Sequence, residues 1–268
     1  LLTCDVDAVT QERASLGAIL SPQGKILFDF LIVAAPEEIG GGYLIDTFAP
    51  VTAELVKRLG FYKLRAQVTL ADLSEGLTVV AGWESPPPPA DYGVVFTDPR
   101  LPDLGWRAIV ARADLGDLAD EPAERWHARR IALGVPDGGR DFLYGDAFPH
   151  EALMDQLGGV AFDKGCYVGQ EVVSRMQHRG TARTRLVPLV YEDGIAAEAG
   201  AEVTAGDKSL GTTGTGTDGR GLAMLRLDRV ADALEEGRPI LAGGLVARPA
   251  KPSFARFPFP GEPAKPAG

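Results

Sequence analysis

The stretch Asp163-Lys164-Gly165-Cys166-Tyr167-Val168-Gly169-Gln170-Glu171 places one of the chain's two cysteines between two glycines and beside a lysine. If Lys164–Val168 is extended, side chains alternate, so Lys164 and Cys166 project from one face and Gly165 leaves open access beside them. An ammonium near a thiol favours the thiolate. Gln170–Met176 has the composition of a helix, whose N-terminal dipole would lower the thiol pKa further. This arrangement predicts an accessible Cys166, more acidic than the roughly 8.5 of a free thiol. Cys4, in Leu-Leu-Thr-Cys-Asp-Val, has no cation beside it in sequence and serves as the contrast. The bland alternative is a tight turn that needs glycines, with Cys166 as filler. Downstream, Arg175, Arg179, Arg183 and Arg185 crowd into eleven residues. They read either as cations for an acidic ligand or as a solvated charged face.

Composition narrows what these groups can serve. The chain has 268 residues, 45% of them hydrophobic and 24% charged, so it can bury a core of two or three subdomains. Its formal net charge of −10 argues against holding nucleic acid by bulk phosphate neutralisation, and direct binding of nucleic acid is not expected. Cys4 and Cys166 match no disulfide framework, zinc spacing or redox pair. A reducing compartment follows, read here as the cytoplasm. No apolar run approaches membrane-spanning length and no signal peptide is visible, so a soluble monomer without a membrane partner is expected. Gly214-Thr215-Gly216-Thr217-Asp218-Gly219 fits G-x-G-x-x-G, but no βαβ unit surrounds it, and a glycine-rich hairpin is predicted instead. P-loop, nucleophile-elbow and zincin motifs are missing, and three scattered histidines give no metal site.

The elements that must position the Cys166 stretch can be read around it. Gln23-Gly24 turns into a strand over Lys25–Val33. A helix between Pro50 and Gly60 sets Leu55, Val56 and Leu59 on one face, with Gly60 in the left-handed position that ends helices. Alternation of Leu64, Ala66, Val68 and Leu70 predicts a strand, followed by strands at Leu77–Trp83 and Trp106–Ala113. Pro86–Pro89 marks a loop. Helices follow at Glu121–Leu133, ended by Gly134, and at Glu151–Leu157. From Thr184 the pattern becomes short β runs broken by glycines, as in a small antiparallel barrel, and the proline-rich end reads as a loose tail.

The motif K-G-C-Y-x-G-Q-E resembles the defining motif of the folate-binding YgfZ family, relatives of the aminomethyltransferase of the glycine cleavage system. The resemblance continues through LSPQGKILFDFLI at 20–32, TDPRLPDLGWRAIV at 97–110, the segment 145–186 and GTGTDGRGLAMLRL at 214–227. LLTCDV resembles the family's segment after its first strand and helix, so those opening elements are expected to be missing. The resemblance implies an α+β, aminomethyltransferase-like fold of interleaved subdomains around a central channel, with a C-terminal β-barrel. Residues 1–185 would form the folate-binding region: a discontinuous first subdomain at about 1–36 and 115–185, and an inserted α+β subdomain at about 37–114. The barrel would span 186–250 and the tail 251–268.

By the same resemblance, the chain is expected to bind tetrahydrofolate and to support assembly or repair of iron–sulfur proteins. Its partners would be those clients or other assembly factors, including radical enzymes that modify tRNA. Cys166 would be the functional thiol, with Lys164, Tyr167, Gln170 and Glu171 shaping its site. Glu151 matches a position where aminomethyltransferases hold the pterin, whose donor edge suits a carboxylate. Lys164, Asp29 and Arg175 complete the expected folate set. The alternative is a folate-dependent aminomethyltransferase or demethylase. That enzyme class carries adjacent aspartates after the early glycine turn, where this chain has Phe28-Asp29. An accessory role is therefore favoured over turnover, although Asp29 could accept a proton or orient a folate nitrogen.

Overall fold

The computed structural model describes residues 1–118, 121–180 and 182–262. Two units emerge: Leu1–Trp126 with Leu157–Gln170, and His127–Gln156 with the described residues from Glu171 onward.

In the first unit, strands β1 (Ser15–Leu20), β2 (Ile26–Ala34) and β3 (Tyr43–Thr47) form an antiparallel sheet in the order β1-β2-β3. Ile19, Phe28, Phe30 and Ile32 are buried with Cys4 and Leu55 in one core cluster. The β1–β2 turn closes through Ser21 N–H donating to the Lys25 carbonyl at 2.8 Å, with Gly24 at φ 81°.

Helix α1 (Thr52–Lys63) turns Leu55 into that cluster, with Leu59 against it. Gly60 does not end it. The helix runs on to Lys63 and is broken at Leu64, whose φ is 46°, so an interior glycine is tolerated at its usual modest cost. The strand predicted from Leu64 to Leu70 does not form, and every residue from 60 to 76 is exposed. Alternating polarity specifies a strand only where a neighbour is free to pair with it. The adjacent sheet instead comprises β4 (Leu77–Gly82), β5 (Gly93–Thr97) and β6 (Trp106–Ala111), in the order β4-β6-β5.

Helix α2 (Ala123–Leu133) ends as its sequence predicts, with Gly134 at φ 79° and Val135 N–H returning to the Arg130 carbonyl. The helix predicted over Glu151–Leu157 is instead a succession of turns. Leu153 takes a left-handed φ of 60°, which interrupts the regular bonding. Helix α3 (Gln170–Arg179) extends three residues past its predicted end.

The second unit carries the barrel. Strands β7 (Thr184–Tyr191), β8 (Glu202–Ala205), β9 (Lys208–Thr217), β10 (Arg220–Arg226), β11 (Leu241–Ala242) and β12 (Leu245–Pro249) close in the order β10-β7-β12-β11-β8-β9. The rejected dinucleotide pattern is the β9–β10 hairpin, with Thr217 opposite Arg220 and the turn residues Asp218 and Gly219 at φ 50° and 69°. Sequence reading missed α4 (Leu227–Glu235), although Leu227, Val230 and Ala233, which it buries, recur every three residues.

The C-terminal segment is not a loose tail as far as it is described. Ala255 and Phe257 are buried, Arg256 N–H donates to Gln156 Oε1 at 2.8 Å, and the Arg185 guanidinium lies 4.5 Å over the Phe257 ring. Residues 263–268 of the predicted tail lie outside the described residues.

Candidate functional site

Cys166 is exposed, four residues ahead of α3 in sequence, on an irregular loop rather than the predicted strand. The two glycines beside it do different things. A Cβ on Gly165 would meet nothing within 4 Å, so the approach to the thiol is open. Gly169, at φ 82°, packs against the β1–β2 turn, where a Cβ would lie 2.6 Å from the Ser21 carbonyl oxygen and 3.0 Å from the Gly24 Cα. It anchors the loop.

Lys164 does not play the predicted part. Its ammonium donates to the carbonyls of Leu2 at 3.0 Å and Cys4 at 2.6 Å, stitching the start of the chain to the motif loop. The same seam holds Ala161 N–H to the Thr3 carbonyl and the Thr3 hydroxyl to the Gly159 carbonyl at 2.6 Å. Cys4 therefore has a cation beside it, contrary to the sequence reading. Burial pushes the Cys4 thiol up, and Lys164 only partly offsets this.

Tyr167 is buried, with Lys164 Nζ 5.8 Å from its ring centroid. Its hydroxyl has no hydrogen-bond partner among the described residues, and burial raises its pKa. The Gln170 side chain starts α3 by accepting the Tyr167 N–H at 3.3 Å, while Gln170 N–H returns to the Tyr167 carbonyl. Glu171 is exposed and pairs with Arg175 one helical turn on, a surface pair worth little.

The residues expected to hold folate are divided between the units, Asp29 and Lys164 in the first and Glu151 and Arg175 in the second. Glu151 is half-buried, and its Oε2 accepts the Phe148 N–H at 2.8 Å, which fixes one carboxylate oxygen. The cations fit an acidic tail less well, because Lys164 is taken by carbonyls and Arg175 by Glu171. Arg185 is a structural residue, buried and donating to the His150 carbonyl and Asp155. Arg179 and Arg183 are exposed; Arg179 has no ion pair among the described residues, while Arg183 acts by charge on Asp228, whose carboxyl is held down chiefly by Arg226. Asp29 sits half-buried on β2 opposite Ala18, and its carbonyl accepts the Thr47 hydroxyl.

Two charged clusters escaped the sequence reading. Asp98, buried, accepts from Arg100 at 2.8 Å and Arg107 at 2.8 Å, and Arg107 reaches on to Asp46 and lies 4.9 Å from the Trp126 ring centroid. Burial would raise the Asp98 carboxyl, but the two guanidiniums outweigh it and hold it well below the usual carboxylate range. In the second unit, fully buried Arg130 binds Asp141 at 2.6 Å and the Thr215 hydroxyl at 2.9 Å. The three residues of the first cluster that lie in segment 97–110 were visible only as part of a resembling stretch. Their further partner Asp46 lies 61 residues from Arg107 in sequence, which spacing alone does not expose. Among the described residues, no three His, Cys, Asp or Glu side chains gather as a metal cage.

Residues 183–257 match the family model for the CAF17 C-terminal beta-barrel domain. The chain is 32% identical over 254 residues to the mitochondrial iron–sulfur cluster assembly factor IBA57 homolog of Pyricularia oryzae, covering 84% of this chain and 65% of that protein. It is 32% identical to the Homo sapiens mitochondrial iron–sulfur cluster assembly factor IBA57, covering 83% of this chain and 67% of that one. The chain thus spans about two thirds of the length of these curated relatives. Its fold is that of the glycine cleavage system aminomethyltransferase T from Bartonella henselae, with a TM-score of 0.67 at 14% identity over 96% of this chain and 80% of that one. The cytoplasmic reading does not stand, because these relatives are mitochondrial proteins. Two unpaired cysteines report a reducing environment and cannot say which compartment supplies it.

Proposed function

We propose, from the premise that this chain belongs to the IBA57 family of iron–sulfur cluster assembly factors, that it serves iron–sulfur proteins through the exposed thiol of Cys166. The observation that carries this reading is the open approach to that thiol. The loop is anchored at Gly169 and at Lys164, while Gly165 leaves the space beside Cys166 clear. Clusters are held by several thiolates. With Cys4 buried and no cage among the described residues, this chain offers one ligand, and the client or another assembly factor supplies the rest. Lys164 acts on the loop's position through the carbonyls of Leu2 and Cys4. Expression of the chain in cells lacking their IBA57-type factor tests the reading through the activities of several iron–sulfur enzymes. Restored activities are expected. Enzymes that stay inactive, with the chain present and folded, would remove it.

The finer, YgfZ-type part of the proposal adds a reduced folate and, among the clients, radical enzymes that modify tRNA. Glu151 would hold the pterin through the carboxylate that Phe148 orients. When bound, a reduced folate supplies a one-carbon carrier or reducing equivalents. Arg179, exposed and without an ion pair among the described residues, is better suited to its acidic tail than Lys164. Calorimetry with tetrahydrofolate should show binding that Glu151→Ala weakens. No heat at millimolar ligand would remove folate from the account while leaving the role of Cys166 intact.

A further inference from the structure

The end of α1 and the segment after it combine three features. From Leu55 to Ala71 the chain carries Lys57, Arg58, Lys63 and Arg65 and no acidic residue, within a protein of net charge −10. None of these four cations has an ion pair or side-chain hydrogen bond among the described residues. Large apolar side chains stand out among them: Phe61 is 66% exposed, Tyr62 45% and Leu64 88%.

Geometry explains why they protrude. Leu55 and Leu59 use the inner face of α1 against the core, which leaves Phe61 on the opposite face, while Tyr62, on the same stripe as Leu55 two turns on, is still 45% exposed at the helix end. Lys57 and Phe61, like Arg58 and Tyr62, are four residues apart, so each aromatic ring lies one turn beyond a cation on the same face. The left-handed Leu64 then breaks the helix and leads into an exposed run without regular structure, which carries Val68 and Leu70. A cluster of exposed apolar groups of this size marks an interaction surface.

We propose that residues 57–70 are a docking surface for an anionic lipid bilayer. Phe61, Tyr62 and Leu64 enter the boundary between headgroups and acyl chains, and Lys57, Arg58, Lys63 and Arg65 meet the headgroup phosphates with their aliphatic stems beside the rings. The charge pattern selects the occupant, since a local cationic patch on an acidic protein complements a negative surface. Lys57, Arg58 and Phe61 line a shallow open hollow with Glu54 at its edge, and beyond it Tyr62 and Leu64 stand out singly; acyl chains can close around single side chains of this kind. No helix among the described residues is long and apolar enough to cross a membrane.

Flotation of the full chain with phosphatidylcholine vesicles, with and without phosphatidylglycerol, tests this. Binding is expected to the anionic vesicles, weakened by added salt and at least about tenfold weaker to phosphatidylcholine alone. Two double variants, Phe61→Ser with Leu64→Ser and Lys63→Glu with Arg65→Glu, should each lower vesicle affinity at least about tenfold. All four positions are exposed, so circular dichroism and melting should match the parent chain. Absence of binding to anionic vesicles, binding that survives both variants, or capture of RNA or an acidic protein by this segment without vesicle binding would each overturn the proposal.

Discussion

Replacing Gly169 and Gly165 by alanine, one at a time, separates the two jobs assigned to the glycines around Cys166. At Gly169 the φ of 82° costs an alanine about 1 kcal/mol or more. Its Cβ would also sit 2.6 Å from the Ser21 carbonyl oxygen and 3.0 Å from the Gly24 Cα. Both contacts are backbone atoms of a closed turn that cannot swing aside, so the overpacking adds about 1–3 kcal/mol. Stiffening of the unfolded chain returns about 0.4–1 kcal/mol. The net expectation for Gly169→Ala is a loss of about 1–4 kcal/mol. Gly165 has an ordinary φ and nothing within 4 Å of the added methyl, so Gly165→Ala should leave stability unchanged within about 0.5 kcal/mol. Urea titration followed by circular dichroism and by tryptophan emission measures both variants on one scale. With two units, coincidence of the two probes has to be checked before a single free energy is extracted. Equal stabilities for the two variants, or a neutral Gly169→Ala, would refute the claim that the loop is held by its contact with the β1–β2 turn.

Iodoacetamide should label Cys166 in the native protein and reach Cys4 only on denaturation, because burial both shields the Cys4 thiol and raises its pKa. Mass spectrometry of the labelled peptides reports this, and native labelling of Cys4 would contradict the seam formed by Leu2, Cys4 and Lys164. Asp98→Asn should cost about 3 kcal/mol or more in the same urea titration, since it leaves Arg100 and Arg107 buried without their shared carboxylate. The depressed Asp98 pKa means that this stability is present above about pH 4 and is lost only in stronger acid. Burial also lowers the pKa of His150 and His127, so the folded state favours their neutral forms. Stability should therefore be full above about pH 6.5 and decline as the pH falls below it. Replacing both histidines by glutamine should flatten that decline, and an unchanged slope would assign it to other groups.

The barrel was legible because its short strands are set off by glycines that serve real turns, as at Asp218-Gly219. The helix after Cys166 was legible because Gly169 marks where the chain must take a left-handed turn before Gln170. The strand drawn through Leu64–Leu70 failed for a physical reason: alternation describes a surface, and pairing needs a partner that this part of the chain does not supply. The helix drawn over Glu151–Leu157 failed at Leu153, whose left-handed conformation is imposed by its surroundings and not by its own propensity. The role of Lys164 was hidden because its partners, the carbonyls of Leu2 and Cys4, lie about 160 residues away in sequence. Backbone acceptors leave no signature in residue type. For the same reason, sequence spacing missed the contact between Lys164 and Cys4.

The central claim, that Cys166 is the working thiol of an iron–sulfur assembly factor, is tested most directly by comparing its two cysteines in cells. Cells without their own IBA57-type factor would express the chain with Cys166→Ala or with Cys4→Ala at matched protein levels, and the activities of several iron–sulfur enzymes would be measured in each. The account predicts that the Cys4→Ala chain restores them as the parent does, while the Cys166→Ala chain leaves them near the level of cells with no factor. Full recovery with Cys166→Ala would contradict it.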